Sequence, residues 1–304
     1  MAPASLRALL DRAIDYAGLF PPANLSLEPA LRNQAEYVGD ADAWMLGAFI
    51  LPVAEFDAAA RWMNQFDENR RLRISALGPR SDNSEGFLQS LAAAGDAIDV
   101  FRSKFRGAAV IEQLEMPLPP DPTAAVLQSA SAGLVGVKSF WEAPAKSAVA
   151  AIEVIAQHNQ TRPNARLGFK LRTGGVTPDA FPSSEAIAAA LHAAGRHGVP
   201  IKFTAGLHHP VRLFHDSVQT KMHGFVNVLG AGVLALEHGW PERQIAEVLE
   251  DEDAESFVFS DETFSWREWT IATTQVSARR QLVTSFGSCS FDEPREDLRA
   301  LKLL

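Results

Sequence analysis

Residues 165–175 read ARLGFKLRTGG and residues 199–206 read VPIKFTAG. Between them runs the alanine-rich stretch SSEAIAAALHAAGRHG, residues 183–198. A short apolar run, a helical stretch and a second short apolar run make a strand–helix–strand unit, the connection that parallel strands require. Both runs place a lysine inside a strand, Lys170 and Lys202, where a core strand would carry an apolar residue.

The same alternation extends in both directions. LGAFILP (46–52) precedes AEFDAAARWMNQF, and LRISALG (72–78) precedes SEGFLQSLAAAGDAIDVFRSKF. AAVIEQLEMP (108–117) precedes DPTAAVLQSASA, and LVGVKSFWEA (134–143) precedes AKSAVAAIEVIAQHN. AIDYAGLF (13–20), followed by SLEPALRNQAEYV, reads as a first strand, and SFVFSD (256–261) as an eighth. Proline and glycine punctuate the joins. An open doubly wound sheet gives the same local pattern, but eight units in about 260 residues favour an α/β fold of the (β/α)8, or TIM, barrel type. The expected organisation is one barrel domain over residues 1–304, with 263–304 as a C-terminal tail packing on the barrel.

Of the 304 residues, 47% are hydrophobic and 21% charged, as in a globular protein with a large core. No apolar run reaches the roughly 18 residues of a membrane helix, and the N-terminus carries charges inside its apolar stretch, unlike a secretory signal. The net charge of −9 argues against a nucleic-acid surface or an anionic-membrane patch. The single cysteine, Cys289, excludes an intrachain disulfide and a cysteine-based zinc site. A cytoplasmic location is expected, and the composition is compatible with a homo-oligomer.

In such barrels chemistry sits at the C-terminal strand ends. Residues two apart on a strand share a face, so Lys170 pairs with Arg172 and Lys202 with Thr204, while Phe169, Leu171, Ile201 and Phe203 point to the covering helices. The charged set then faces the barrel interior. Two lysines and an arginine there are structural only if several carboxylates are buried with them. Otherwise they point to a small anionic substrate. Arg172 reads as an anion clamp, or as a salt-bridge partner of Glu112 or Glu115. Thr173, Gly174, Gly175 and Gly206 can bring backbone close to a ligand. Lys138 joins the substrate-binding set or reaches outward at the rim. Glu112 is the favoured acidic member. Asp15 on the first strand, and Asp261 and Glu262 on the eighth, are further carboxylates at strand ends.

Lys170 followed by LRTGG and Lys202 followed by FTAG resemble the deoxyribose-phosphate aldolase pattern, K-x-x-T-G and K-x-S-x-G on consecutive strands. That resemblance implies Lys170 as a Schiff-base nucleophile and Lys202 as the cation that keeps it partly neutral. It covers about 40 residues. The chain has LHHP where that family continues GIR, and Glu112 or Glu115 would have to stand in for its fourth-strand aspartate. The stretches FKLRTGG, FPSSEAIAAAL, KFTAGLHHPVR, HGFVNVL and GSCSFDEPREDL are also similar to a bacterial barrel family without an assigned reaction.

His208 and His209 open the connection after the seventh strand. Either can move protons on a bound imine or enol. Either can join His223 with Asp261 or Glu262 at a metal, or be structural. No H-x-H or H-E-x-x-H supports a metal, and no G-x-G-x-x-G or Walker pattern supports an organic cofactor. His223 and Asn227, four apart on one helix face, look into the site or only pack. Cys289 reads as an inert buried thiol unless a cation sits beside it. Asp292 and Glu293 can lend a carboxylate. The resulting expectation is a carbon–carbon lyase acting through Lys170, Lys202, His208 and His209. The alternatives are a metal-dependent hydrolase or isomerase using His208, His209 and His223, and a non-catalytic anion-binding protein.

Overall fold

The computed structural model describes residues 2–131, 136–162 and 166–304. Eight parallel strands close into a barrel: β1 (Ile14–Tyr16), β2 (Leu46–Pro52), β3 (Leu72–Leu77), β4 (Ala109–Pro117), β5 (Lys138–Ala143), β6 (Leu167–Arg172), β7 (Ile201–Thr204) and β8 (Val283–Ser288). Around the barrel they run β1-β8-β7-β6-β5-β4-β3-β2. Residues 132, 134, 135 and 165, expected at the edges of a helix and of the fifth and sixth strands, lie outside the described residues.

Helices cover the barrel. Ser184–His197 links β6 to β7; the Ser183 side chain accepts from the Ala186 backbone N–H at its start, and Gly198 at φ 61° ends it. Phe169, Leu171, Ile201 and Phe203 are buried beneath such helices, as the strand period requires. Phe225–His238 is buried along its first ten residues. Among the described residues no helix is long and apolar enough to cross a membrane.

The eighth strand is not where the sequence placed it. Phe257–Phe259, inside the expected SFVFSD strand, belongs to an antiparallel three-stranded sheet with Thr263–Trp266 and Trp269–Ala272. The closing strand comes instead from VTSFGS at 283–288, within the stretch expected as a tail. The reason is physical: Ser285 faces a polar barrel interior and bonds Asp15 there, so the strand lacks the apolar run that marked the other seven. After it, the helix Asp292–Ala300 lies against the connection that follows β7 through two contacts, Glu293 to His208 and Asp297 to His209.

Candidate active site

The barrel interior is a charged network rather than stacked apolar layers. Lys202 from β7 is fully buried. Its Nζ donates to Asp15 Oδ2 on β1 at 2.8 Å, to Gln113 Oε1 on β4 at 2.9 Å and to Glu115 on the same strand. Ser285 donates to Asp15 Oδ2 and Ser75 to Glu115 Oε1, while Asp15 Oδ1 accepts the Ala48 backbone N–H. Gly47 is required beside it: a Cβ there would stand 2.3 Å from Asp15 Oδ1.

Lys170 reaches the cavity at the strand C-termini, whose lining does not include Lys202. It pairs in register with both Lys202 on β7 and Glu142 on β5. Its Nζ is 2.7 Å from Glu115 Oε2 and 2.9 Å from Glu142 Oε2, so Glu115 bridges the two lysines. The buried carboxylates that would make the lysines structural are therefore present. Burial alone would pull both lysines down. The carboxylates, Glu115 and Glu142 at Lys170, and Asp15 and Glu115 at Lys202, outweigh it and hold both above the ordinary lysine value. Burial likewise pushes Glu115 up, but Lys170 and Lys202 outweigh it and hold its carboxyl well below the usual range.

This overturns the expected Schiff-base lyase. An imine forms only from neutral amine, and a lysine held above its ordinary value is neutral in fewer than about one molecule in a thousand at pH 7. Lys202 does not act as a bare repelling cation either, because Glu115 neutralises the space between the two amines.

Above Lys170 a cavity of about 320 Å³ opens at the strand C-termini. Glu142 and Lys170 reach it from below, their side chains 16% and 5% exposed. Arg172, Thr204, Gly175, Gly206, His208 and Cys289 also line it. Arg172 Nε donates to the Gly174 carbonyl, which fixes the guanidinium, and its terminal amino groups make no bond among the described residues. Ala205 and Gly206 both adopt left-handed φ, 61° and 77°, in the turn after β7. A Cβ on Gly174 would meet the Gly206 Cα at 2.8 Å, so these loops touch backbone to backbone. Thr173 laces them together through the carbonyls of Thr204 and Ala205. Thr173 and Gly174 thus shape the rim without lining the cavity.

His208 Nδ1 lies 3.0 Å from Glu293 Oε2 and 3.9 Å from Cys289 Sγ. Burial lowers its pKa, but Cys289 and Glu293 outweigh it and raise it to about 9, so His208 is a cation at neutral pH. Cys289 therefore has the cationic neighbour that a merely inert thiol would lack.

Other expected members lie elsewhere. Glu112 bonds Arg12 and Arg73 at the opposite end of the barrel, where Lys138 also sits. Gln113 and Glu115, not Glu112, share the inward face of β4, as the period of two dictates. His209 bonds Asp297 and stacks on His215. His223 contacts Arg212 through Nδ1 and the Pro182 carbonyl through Nε2, and burial helps lower its pKa to about 4. Asn227 is spent on the backbone of Arg212, Val248 and Asp251. The three histidines of the metal alternative do not converge. Among the described residues, no group of three or more histidine, cysteine, aspartate or glutamate side chains could hold a metal ion. Sequence reasoning missed Glu142 as a site residue; its signal was a lone carboxylate near the C-terminal end of the strand KSFWEA.

Fold and site together define a (β/α)8 barrel with an ion-paired interior and a cation-rimmed cavity at its C-terminal face. No family model matches the chain, and no curated protein matches it by sequence. Among solved structures, a GH10 endoxylanase from a sugarcane soil metagenome is 10% identical at a TM-score of 0.42, covering 92% of this chain and 98% of that one. The xylanase XynB from Paenibacillus barcinonensis is 11% identical at 0.40, with the same coverage. Glu115 is wholly buried behind Lys170, so it and Glu142 do not flank an open space as the two carboxylates of a glycosidase must.

Proposed function

We propose that the protein acts on a small anionic compound by proton transfer, as a hydrolase or an isomerase. The reading rests on one observation: the Lys170–Glu142 pair opens into a cavity that Arg172 and His208 also face. Glu142 is the one carboxylate lining that cavity among the described residues, and it serves as general base toward a water or a carbon acid. Lys170 stays an ammonium. Of its three protons two face Glu115 and Glu142, which leaves one for an oxygen that gains charge in the transition state. Arg172 and His208 hold the anionic part of the substrate. Lys202, Asp15 and Glu115 do not touch substrate; they fix Lys170 in place.

The test is turnover of a panel of small anionic esters, lactones and hydroxy or keto acids by the purified protein. Glu142→Gln should lower kcat on any active compound by about a hundredfold or more, with binding nearly unchanged. An anion that binds in the cavity without being converted by either form, across the whole panel, would make the protein a binding protein instead.

A further inference from the structure

The cavity wall is divided by strand. Glu142, Lys170, Arg172, Thr204 and His208 come from β5, β6, β7 and the segments that follow them. Phe20, Pro22, Ile50, Leu77 and Pro117 come from β1 to β4 and their following segments. In the closed order of strands these two sets form two unbroken arcs, with Gly287 and Cys289 of the β8 segment at one junction. Among the described residues, β1 to β4 bring no hydrogen-bonding side chain to the cavity. Val176, exposed after β6, is the one large apolar residue on the polar arc among the described residues.

We propose that the substrate is an amphipathic acid: an anionic head on the β5–β7 arc and a compact apolar body on the β1–β4 arc. This inference rests on the anion-site reading above and adds the substrate class. A hydroxyl turned toward Phe20, Ile50, Leu77 or Pro117 would leave water without gaining a partner. A methylene in the same place leaves water at a gain of about fourfold in affinity. A polyhydroxylated sugar acid or sugar phosphate matches only half of this wall. A cavity of about 320 Å³ also limits the body to a short chain or a single ring.

Isothermal titration of the full-length protein with butyrate, pentanoate, hexanoate, octanoate and gluconate separates the possibilities. Affinity should rise about fourfold per methylene and then level off as the cavity fills. Gluconate, with the chain length of hexanoate, should bind at least about tenfold more weakly. Leu77→Asn should shrink the hexanoate-to-gluconate ratio, and Phe20→Ala, on a half-exposed loop, gives the same readout if Leu77→Asn does not fold. Arg172→Gln should weaken all the acids alike. Affinity that is flat with chain length, or gluconate equal to hexanoate, overturns the amphipathic substrate and leaves the anion site standing. No binding by any of these acids, or binding untouched by Arg172→Gln, overturns both.

Discussion

Glu115→Gln is the sharpest perturbation of the barrel interior. Glu115 is wholly buried and, among the described residues, is the one group that ion-pairs with both Lys170 and Lys202. The amide keeps the size and can still accept from Ser75, but it removes the charge that both ammoniums face. Removing one partner of a buried ion pair costs roughly 3–5 kcal/mol. Lys202 keeps Asp15 and Gln113 and Lys170 keeps Glu142, so the lower end, about 3 kcal/mol, is the expected loss. For a chain of this size that shifts the urea midpoint by about 1 M or less. The sign with pH follows from the direction of the shift. Glu115 is held below its unfolded value, so its contribution is present above the unfolded carboxylate range and fades as pH falls through the lower folded value. Wild type and variant should therefore differ most near neutrality and converge on strong acidification. Adding Lys202→Met to Glu115→Gln should deepen the loss, because the buried Asp15 carboxylate then loses its cation. A Glu115→Gln protein within about 0.5 kcal/mol of wild type at pH 7 would refute the idea that this network holds the barrel interior together.

Other substitutions read separate parts of the account. Gly47→Ala should destabilise by about 1–3 kcal/mol in urea unfolding, since the new Cβ falls on Asp15 Oδ1 and near the Arg12 and Ile14 carbonyls. Arg172→Gln should leave the urea midpoint nearly unchanged while weakening a bound carboxylate about tenfold or more by titration. His208 is raised from 6.5 to about 9 in the fold, so its contribution is complete below about pH 6.5 and is lost as pH rises through 9. Glu293, its partner, is partly solvated, so that contribution is on the order of 1–2 kcal/mol. Glu293→Gln should flatten the stability profile between pH 6.5 and 9.

Seven of the eight barrel strands were legible because their outward faces are apolar and their lengths and joins fit the βαβ pattern. The eighth was not. VTSFGS turns Ser285 to Asp15 inside a polar interior, while FVF at 257–259 imitates a strand of the barrel and pairs in a separate sheet. The inward lysines were legible from the period of two, which also separates Glu115 from Glu112 on β4. Their charge state was not, because it depends on carboxylates far away in sequence: Asp15 is 187 residues from Lys202. The same distance hid the partners of the paired histidines, which take Glu293 and Asp297 from a helix 85 and 88 residues further on. Local motifs brought the two lysines together, and long-range pairing decided what they can do.

The charge of Lys170 is the pivot of the account and can be observed directly. In protein carrying 15N-labelled lysine, with Lys170→Met to assign its signal, the Nζ resonance should report an ammonium from pH 6 to beyond pH 10. It should shift when a small carboxylate is added. A resonance that reports a neutral amine between pH 7 and 8 would contradict the account, because the carboxylate cage of Glu115 and Glu142 would then not be setting its charge.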